Sequence, residues 1–293
     1  YTTLFRSLGI VIDSLGKTIN IGNFSIAYYG IVIALGMVAG FFMASWQATR
    51  LGQDKDIYLD LALWDIIFAI IGARLYYVIF SWDYYGKHPM EILNTRGGGM
   101  AIYGGVIAGV LTTFIFAKVK KLSFFDLTDA ACGGLLVGQI FGRWGNFFNR
   151  EAFGGYTNNL FAMQLKRSQV RVGDMTKDVL KHLVNIDGIQ YIQVHPTFLY
   201  ELLWNIGVLA VVLLWTKKRK YKGQLFLIYL CGYGLGRCWI EGLRTDQLKF
   251  FGTQIAISQI LSAVLFLGAA SILLWKAVKA KREKNAQESI VKD

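Results

Sequence analysis

Little in this chain carries charge, and little of it interrupts a helix. Charged residues make up 17% of its 293 residues, against about 25% in soluble globular domains. Only two prolines occur, Pro89 and Pro196, so no long apolar run contains a mid-helix proline break. The three cysteines, Cys132, Cys231 and Cys238, lie in apolar runs without CxxC spacing. That excludes a disulfide framework or thiolate metal centre and suits small buried hydrophobes. No basic stretch followed by a short apolar core opens the chain, so no cleavable leader is expected.

What is abundant is apolar. Hydrophobic residues reach 54%, aromatics 15% and mean hydropathy +0.41, which excludes disordered and collagen-like classes. The net charge of +12 could suit nucleic acid, but that needs a basic face on a soluble fold. Long uncharged runs dominate instead, and no nucleic-acid partner is expected.

A spanning helix needs about 20 mostly apolar residues. Seven stretches qualify, at 25–46, 62–82, 99–117, 125–142, 198–215, 223–243 and 255–275. The expected fold is an all-α polytopic membrane protein with seven transmembrane helices. Residues 1–143 hold helices 1–4, 144–197 form a small extracytoplasmic subdomain, 198–275 hold helices 5–7, and 276–293 form a frayed basic cytoplasmic tail. Cations mark the side of each loop. Arg50 and Lys55, three lysines at 118–121, five cations at 217–222 and six in the tail fall on one side. Outside the 144–197 stretch, the other side has only Arg6, Lys17, Lys87, Arg96, Arg244 and Lys249. The N-terminus is therefore expected outside.

In that orientation the unusual polar residues share one level, the outer leaflet. Arg74 falls in the outer half of helix 2, and Arg143, Asn146, Asn149 and Glu151 at the end of helix 4. Tyr29 stands near the outer end of helix 1, Tyr103 at the mouth of helix 3, and His195, Tyr200 and Glu201 open helix 5. Tyr233, Arg237, Glu241 and Arg244 have the i, i+4, i+8, i+11 spacing of one helical face. The inner halves offer nothing comparable. Intramembrane ionisable groups are costly and mark cavities or partners. An arginine–glutamate pair can also simply lock a helix. Four arginines around one level suit an anionic phospholipid, because guanidinium grips phosphate through two parallel hydrogen bonds and keeps its charge at low dielectric. A transporter or channel for an anionic lipid or solute explains the arginines too, but places polar groups nearer the midplane, with broken helices.

The run Gly142-Arg143-Trp144-Gly145-Asn146-Phe147-Phe148-Asn149-Arg150-Glu151, followed by Gly154, resembles the signature of bacterial prolipoprotein diacylglyceryl transferases. His195 to Glu201, Gly232-Tyr233-Gly234 with Arg237 and Glu241, Tyr28-Tyr29-Gly30, and Gly98 to Gly105 stand in family order. The resemblance implies a seven-helix bacterial plasma-membrane enzyme with its active site facing outside. It would move the diacylglyceryl group of phosphatidylglycerol to the lipobox cysteine of a preprolipoprotein and release glycerol phosphate. Its partners would be that lipid, the signal peptide and the surrounding membrane lipids, with no metal or organic cofactor. Arg143 and Arg237 are expected on the phosphate. Asn146, Tyr29, Gly154 and Tyr233 are expected around the lipid. Glu241 would orient Arg237, and Glu151 would orient Arg143 or the incoming peptide. Arg244 and Arg74 are further candidates. One departure stands out: Tyr103 occupies a position where family members often carry His. The base is open among Tyr103, Glu151 and His195, or the thiol ionises in the positive field alone.

Overall fold

The structure is a computed structural model that describes residues 2–5, 10–12, 16–22, 24–95, 98–250, 253 and 255–290. Arg6, Arg96 and Lys292, which entered the charge balance, lie outside them. Two short antiparallel hairpins come first, β1 (Thr2–Phe5) with β2 (Ile10–Ile12) and β3 (Thr18–Ile21) with β4 (Phe24–Ala27). Then follow α1 (Tyr28–Arg50), α2 (Ile57–Phe80), the single turn α3 (Trp82–Tyr85), α4 (Ile102–Val119) and α5 (Phe124–Asn149). An insert of short elements follows, with β5 (Met163–Lys166), α6 (Lys177–Lys181), β6 (Val184–Ile186) and β7 (Ile189–Val194). The chain ends with α7 (Thr197–Trp215), α8 (Gln224–Glu241) and α9 (Ile257–Ile290).

The protein is mostly helical, and six of its helices are long and apolar enough to cross a membrane: α1, α2, α4, α5, α7 and α9. The stretch expected to span at 223–243 is helical as α8, but its Gln224, Arg237, Glu241, tyrosines and glycines leave it less apolar than those six. Large apolar side chains such as Phe42, Trp64, Phe68 and Leu267 are exposed on these helices. So extensive an apolar surface is a liability in water and is at home in hydrocarbon.

Close helix contacts follow from glycine placement. A Cβ on Gly40 of α1 would lie 2.8 Å from the Gly134 carbonyl oxygen of α5. Gly72 of α2 and Gly104 of α4 meet in the same way. Such small-residue crossings drive association where lipid removes the hydrophobic incentive.

Four expectations change. The span expected over 125–142 is longer, because α5 continues to Asn149. The basic tail is not frayed, since α9 continues to Ile290 with Lys279–Glu283 and Lys284–Glu288 pairs at i, i+4. Helix α8 stops at Glu241, so Arg244 does not extend its face; Gly154 and Arg244 form a β-bridge that draws the chain away. The opposite end of the bundle is not polar-poor either. There buried Asp129 accepts the Gly223 and Phe226 amides at 2.7 and 2.8 Å and pairs with Arg219 Nε at 2.8 Å. Those amides open α8 and need an acceptor, which makes this cluster a helix cap.

The insert folds as one antiparallel sheet in the order β5-β7-β6. Its core of Phe153, Met163, Leu165, Val179, Ile192 and Val194 is continuous with Phe147 of α5 and Phe198 of α7. The sheet is thereby clamped to one end of the bundle, where α5 finishes and α7 starts.

Candidate functional site

At that end the helices deliver a chain of alternating charges. Glu201, one turn into α7, is 4% exposed and faces two arginines. Arg143 Nε of α5 lies 2.9 Å from its Oε2, and Arg237 Nη1 of α8 donates to its Oε1. Arg237 Nη2 reaches Glu241 one turn along α8. Glu241 also accepts the Ser258 hydroxyl of α9 at 2.7 Å and has Arg244 Nη1 3.7 Å away. Arg244 then clasps Asp246 with two parallel bonds of 2.9 and 2.8 Å. Burying a lone charge is prohibitive, and pairing makes it tolerable. Three guanidiniums against three carboxylates leave this network formally neutral.

The arginines differ in commitment. Arg244 is fixed by its bidentate clasp; burial opposes its charge, but Asp246 and Glu241 hold its pKa above the ordinary value. Arg143 Nε and Glu201 Oε2 are close yet form no directed hydrogen bond. The Arg143 contact is thus an ion pair that can be rearranged, in a buried setting where charge acts strongly.

The far side of Arg143 leads to the rim. Arg143 Nη1 donates to Asn146 Oδ1 at 3.2 Å, and Asn146 Nδ2 donates to Glu151 Oε1 at 3.1 Å. Asn149 Nδ2 adds a bond of 3.3 Å to the same oxygen. Glu151 is aimed there because Arg150 and Ala152 adopt left-handed φ values of 56° and 58°. These turn the chain sharply after α5, with the Glu151 amide returning to the Asn146 carbonyl at 3.1 Å.

Tyr29, in the first turn of α1, packs on Gly145, where an added Cβ would lie 2.8 Å from its ring. It is within electrostatic reach of Glu151 and Arg143. Tyr103, in the first turn of α4, is within reach of Glu241, Arg237 and Tyr233. Tyr233 stacks on Tyr229. Gly154 has a structural setting: its amide bonds the His195 carbonyl at 2.9 Å, and a Cβ there would lie 2.7 Å from His195 Cβ. His195 Nδ1 lies 3.2 Å from the Tyr200 hydroxyl. Burial holds its pKa below the ordinary imidazole value.

Arg74 is not brought into the network. All five of its N–H groups end on backbone carbonyls, those of Ile92, Gly98, Gly99, Glu91 and Asn94. Gly98 and Gly99 have φ of +94° and +75°, which lets their carbonyls turn inward. Arg74 is therefore a loop staple with no donor left for a ligand. Conversely, Glu201, placed at this level by the sequence but given no role, and Asp246, which the sequence did not single out, are central to the network. The signal for Glu201 was a lone acid just inside an otherwise uncharged span. Among the described residues no three His, Cys, Asp or Glu side chains gather as metal ligands.

A bundle of apolar helices whose one end holds a buried arginine–carboxylate network defines a multi-pass membrane protein. The family model described as prolipoprotein diacylglyceryl transferase matches residues 17–275, and the chain belongs to that family. Relatives named phosphatidylglycerol–prolipoprotein diacylglyceryl transferase have similar sequences throughout. The one from Bacillus licheniformis is 43% identical over 92% of this chain and 94% of its own. That from Halalkalibacterium halodurans is 41% identical over 90% and 86%. That from Bacillus cereus is 38% identical over 92% and 95%.

Proposed function

We propose that this protein is a phosphatidylglycerol–prolipoprotein diacylglyceryl transferase working at the outer leaflet of a bacterial cell membrane. The observation that carries the reading is the convergence of Arg143 and Arg237 on one buried carboxylate, Glu201, in a chain of this family. The cysteine sulfur of the lipobox forms a bond to the terminal glycerol carbon of the diacylglyceryl group. The bond from that carbon to the phosphate oxygen breaks, and glycerol phosphate leaves with the electron pair. The thiol proton passes to a base or, through the site, to the departing phosphate.

Arg143 and Arg237 neutralise the charge that builds on the leaving group, the kind of preorganised stabilisation that lowers such barriers most. Arg143 is the principal contact, since its loosely directed pair with Glu201 can be shared with a phosphate. Asn146 and Tyr29 hydrogen-bond the headgroup, and Tyr233 lines the lipid path. Glu241 orients Arg237. Gly154 acts by permitting the close packing that holds the α7 and α8 ends together. Tyr103, Glu151 and His195 are the candidate bases. Burial holds the His195 pKa below the ordinary imidazole value, which favours the neutral form that a base needs.

The same reading makes α8 the seventh span, with the N-terminus and the sheet of 163–194 outside and the basic loops and tail inside. Continuous spans disfavour a transporter, whose substrate sites are usually built on broken helices. The test supplies purified protein with phosphatidylglycerol and a lipobox peptide. Mass spectrometry should show the peptide gaining a diacylglyceryl group and glycerol phosphate appearing, with a Cys→Ser peptide inert. Lipid movement between leaflets without covalent transfer would instead establish the transporter. A reporter inserted within 144–197 should label from outside; labelling from the cytoplasm overturns the orientation.

A further inference from the structure

The buried network is neutral, yet the reaction brings it a phosphodiester anion and leaves a phosphate of higher charge. A cation free to move from a weak partner to the bound anion would stabilise it through a charge-assisted hydrogen bond. Arg171 stands where one can be supplied. Its side chain is 77% exposed, and its Nη2 lies 3.7 Å from Glu151 Oε2. Glu151 keeps the Asn146 and Asn149 amides on its other oxygen, so Arg171 can leave without stranding a buried carboxylate. A long, exposed ion pair of this kind contributes little and exchanges readily.

The backbone favours such a movement. Val170 and Val179 are buried in the core of the sheet insert, while most residues between them are exposed. Residues 171–178 thus form a strap fixed at both feet and resting on the core through Met175, with Arg171 at its exposed start. Its first residue pairs with Glu151 at the Arg143 end of the network. Its single 3₁₀ turn, Val172–Asp174, brings Asp174 within electrostatic reach of Asp246 and Arg244 at the other end. The strap therefore lies beside both ends of the network.

Resting on the transferase reading above, we propose that Arg171 is a headgroup-recognition residue, exchanging Glu151 for the lipid phosphate and closing the 171–178 strap over the bound anion. It adds a mobile cation beside Arg143 and Arg237, whose charges are already partnered by Glu201 and Glu241. It touches the lipid and not the peptide, because its partner Glu151 connects through Asn146 to Arg143.

The test is steady-state transfer from phosphatidylglycerol in mixed micelles to a lipobox peptide, with each substrate varied in turn. Arg171→Ala should raise KM for the lipid about ten-fold, the weight of one charge-assisted hydrogen bond. Arg171→Glu should raise it further, Arg171→Lys should restore part of it, and KM for the peptide should stay unchanged. Being exposed, the position tolerates all three changes, and an unchanged melting temperature confirms folding. A lipid KM within two-fold of wild type in Arg171→Glu, or an effect confined to the peptide KM, overturns the inference. A wild-type protein that transfers nothing fails the transferase reading itself.

Discussion

Replacing Arg143 by alanine is the most direct test of the chamber. The substitution removes the 2.9 Å ion pair to Glu201 and the 3.2 Å bond to Asn146. Glu201 keeps Arg237 and is not left as a bare buried charge, so the fold should survive. The loss therefore falls on the transition state. Removing one preorganised donor to a developing oxyanion costs about 2.7–4 kcal/mol, or roughly 100- to 1000-fold in kcat at about 1.4 kcal/mol per factor of ten. Arg143→Lys keeps a charge but loses the planar fork and should fall between. The assay is transfer to a lipobox peptide, read as mass gain and released glycerol phosphate, with a melting curve as control. Turnover of Arg143→Ala within three-fold of wild type, at unchanged stability, would refute the phosphate role.

Glu201→Gln leaves Arg143 without its carboxylate and Arg237 with Glu241 alone. Breaking a buried pair costs about 3–5 kcal/mol, so both the melting temperature and transfer should drop sharply, and a protein of wild-type stability would show that Glu201 is no hub. Arg74→Ala strands five carbonyls that water can partly reach, and should cost about 2 kcal/mol in a melting curve while the lipid KM stays unchanged; a large KM effect would return Arg74 to the site. Asp174 has a raised pKa, first from burial and then from Asp246, so its folded form favours the proton. The resulting penalty grows as pH rises above the ordinary value of 3.8. Asp174→Asn should raise the melting temperature at pH 7, and the gain should vanish below about pH 4; a gain independent of pH would contradict this.

Much of the helix pattern was legible because it rests on local composition. Each apolar run is its own signal, and lipid demands that a spanning segment satisfy its backbone internally. The ends were less legible. The polar stretch after residue 143 continues α5 because Gly145 and Phe147 find partners in Tyr29 and Phe198. The tail stays helical through its i, i+4 pairs. Asp65, bonded to Thr113 at 3.1 Å, and Gln139, bonded to Tyr229 at 2.8 Å, went unremarked because a single polar residue barely lowers the hydropathy of a long run.

By itself, the order of residues determined the membrane-like class, the family motif and a set of arginines at one helical level. It did not distinguish among those arginines. Arg74 and Arg143 have the same chemistry near the same end of the bundle, yet one is consumed by five carbonyls and the other faces an acid 58 positions away. Hydropathy depends on neighbours in sequence, whereas a buried charge depends on whatever partner helix packing brings within a few ångströms. Tertiary structure alone made Glu201 the meeting point and left Arg171 exposed beside Glu151.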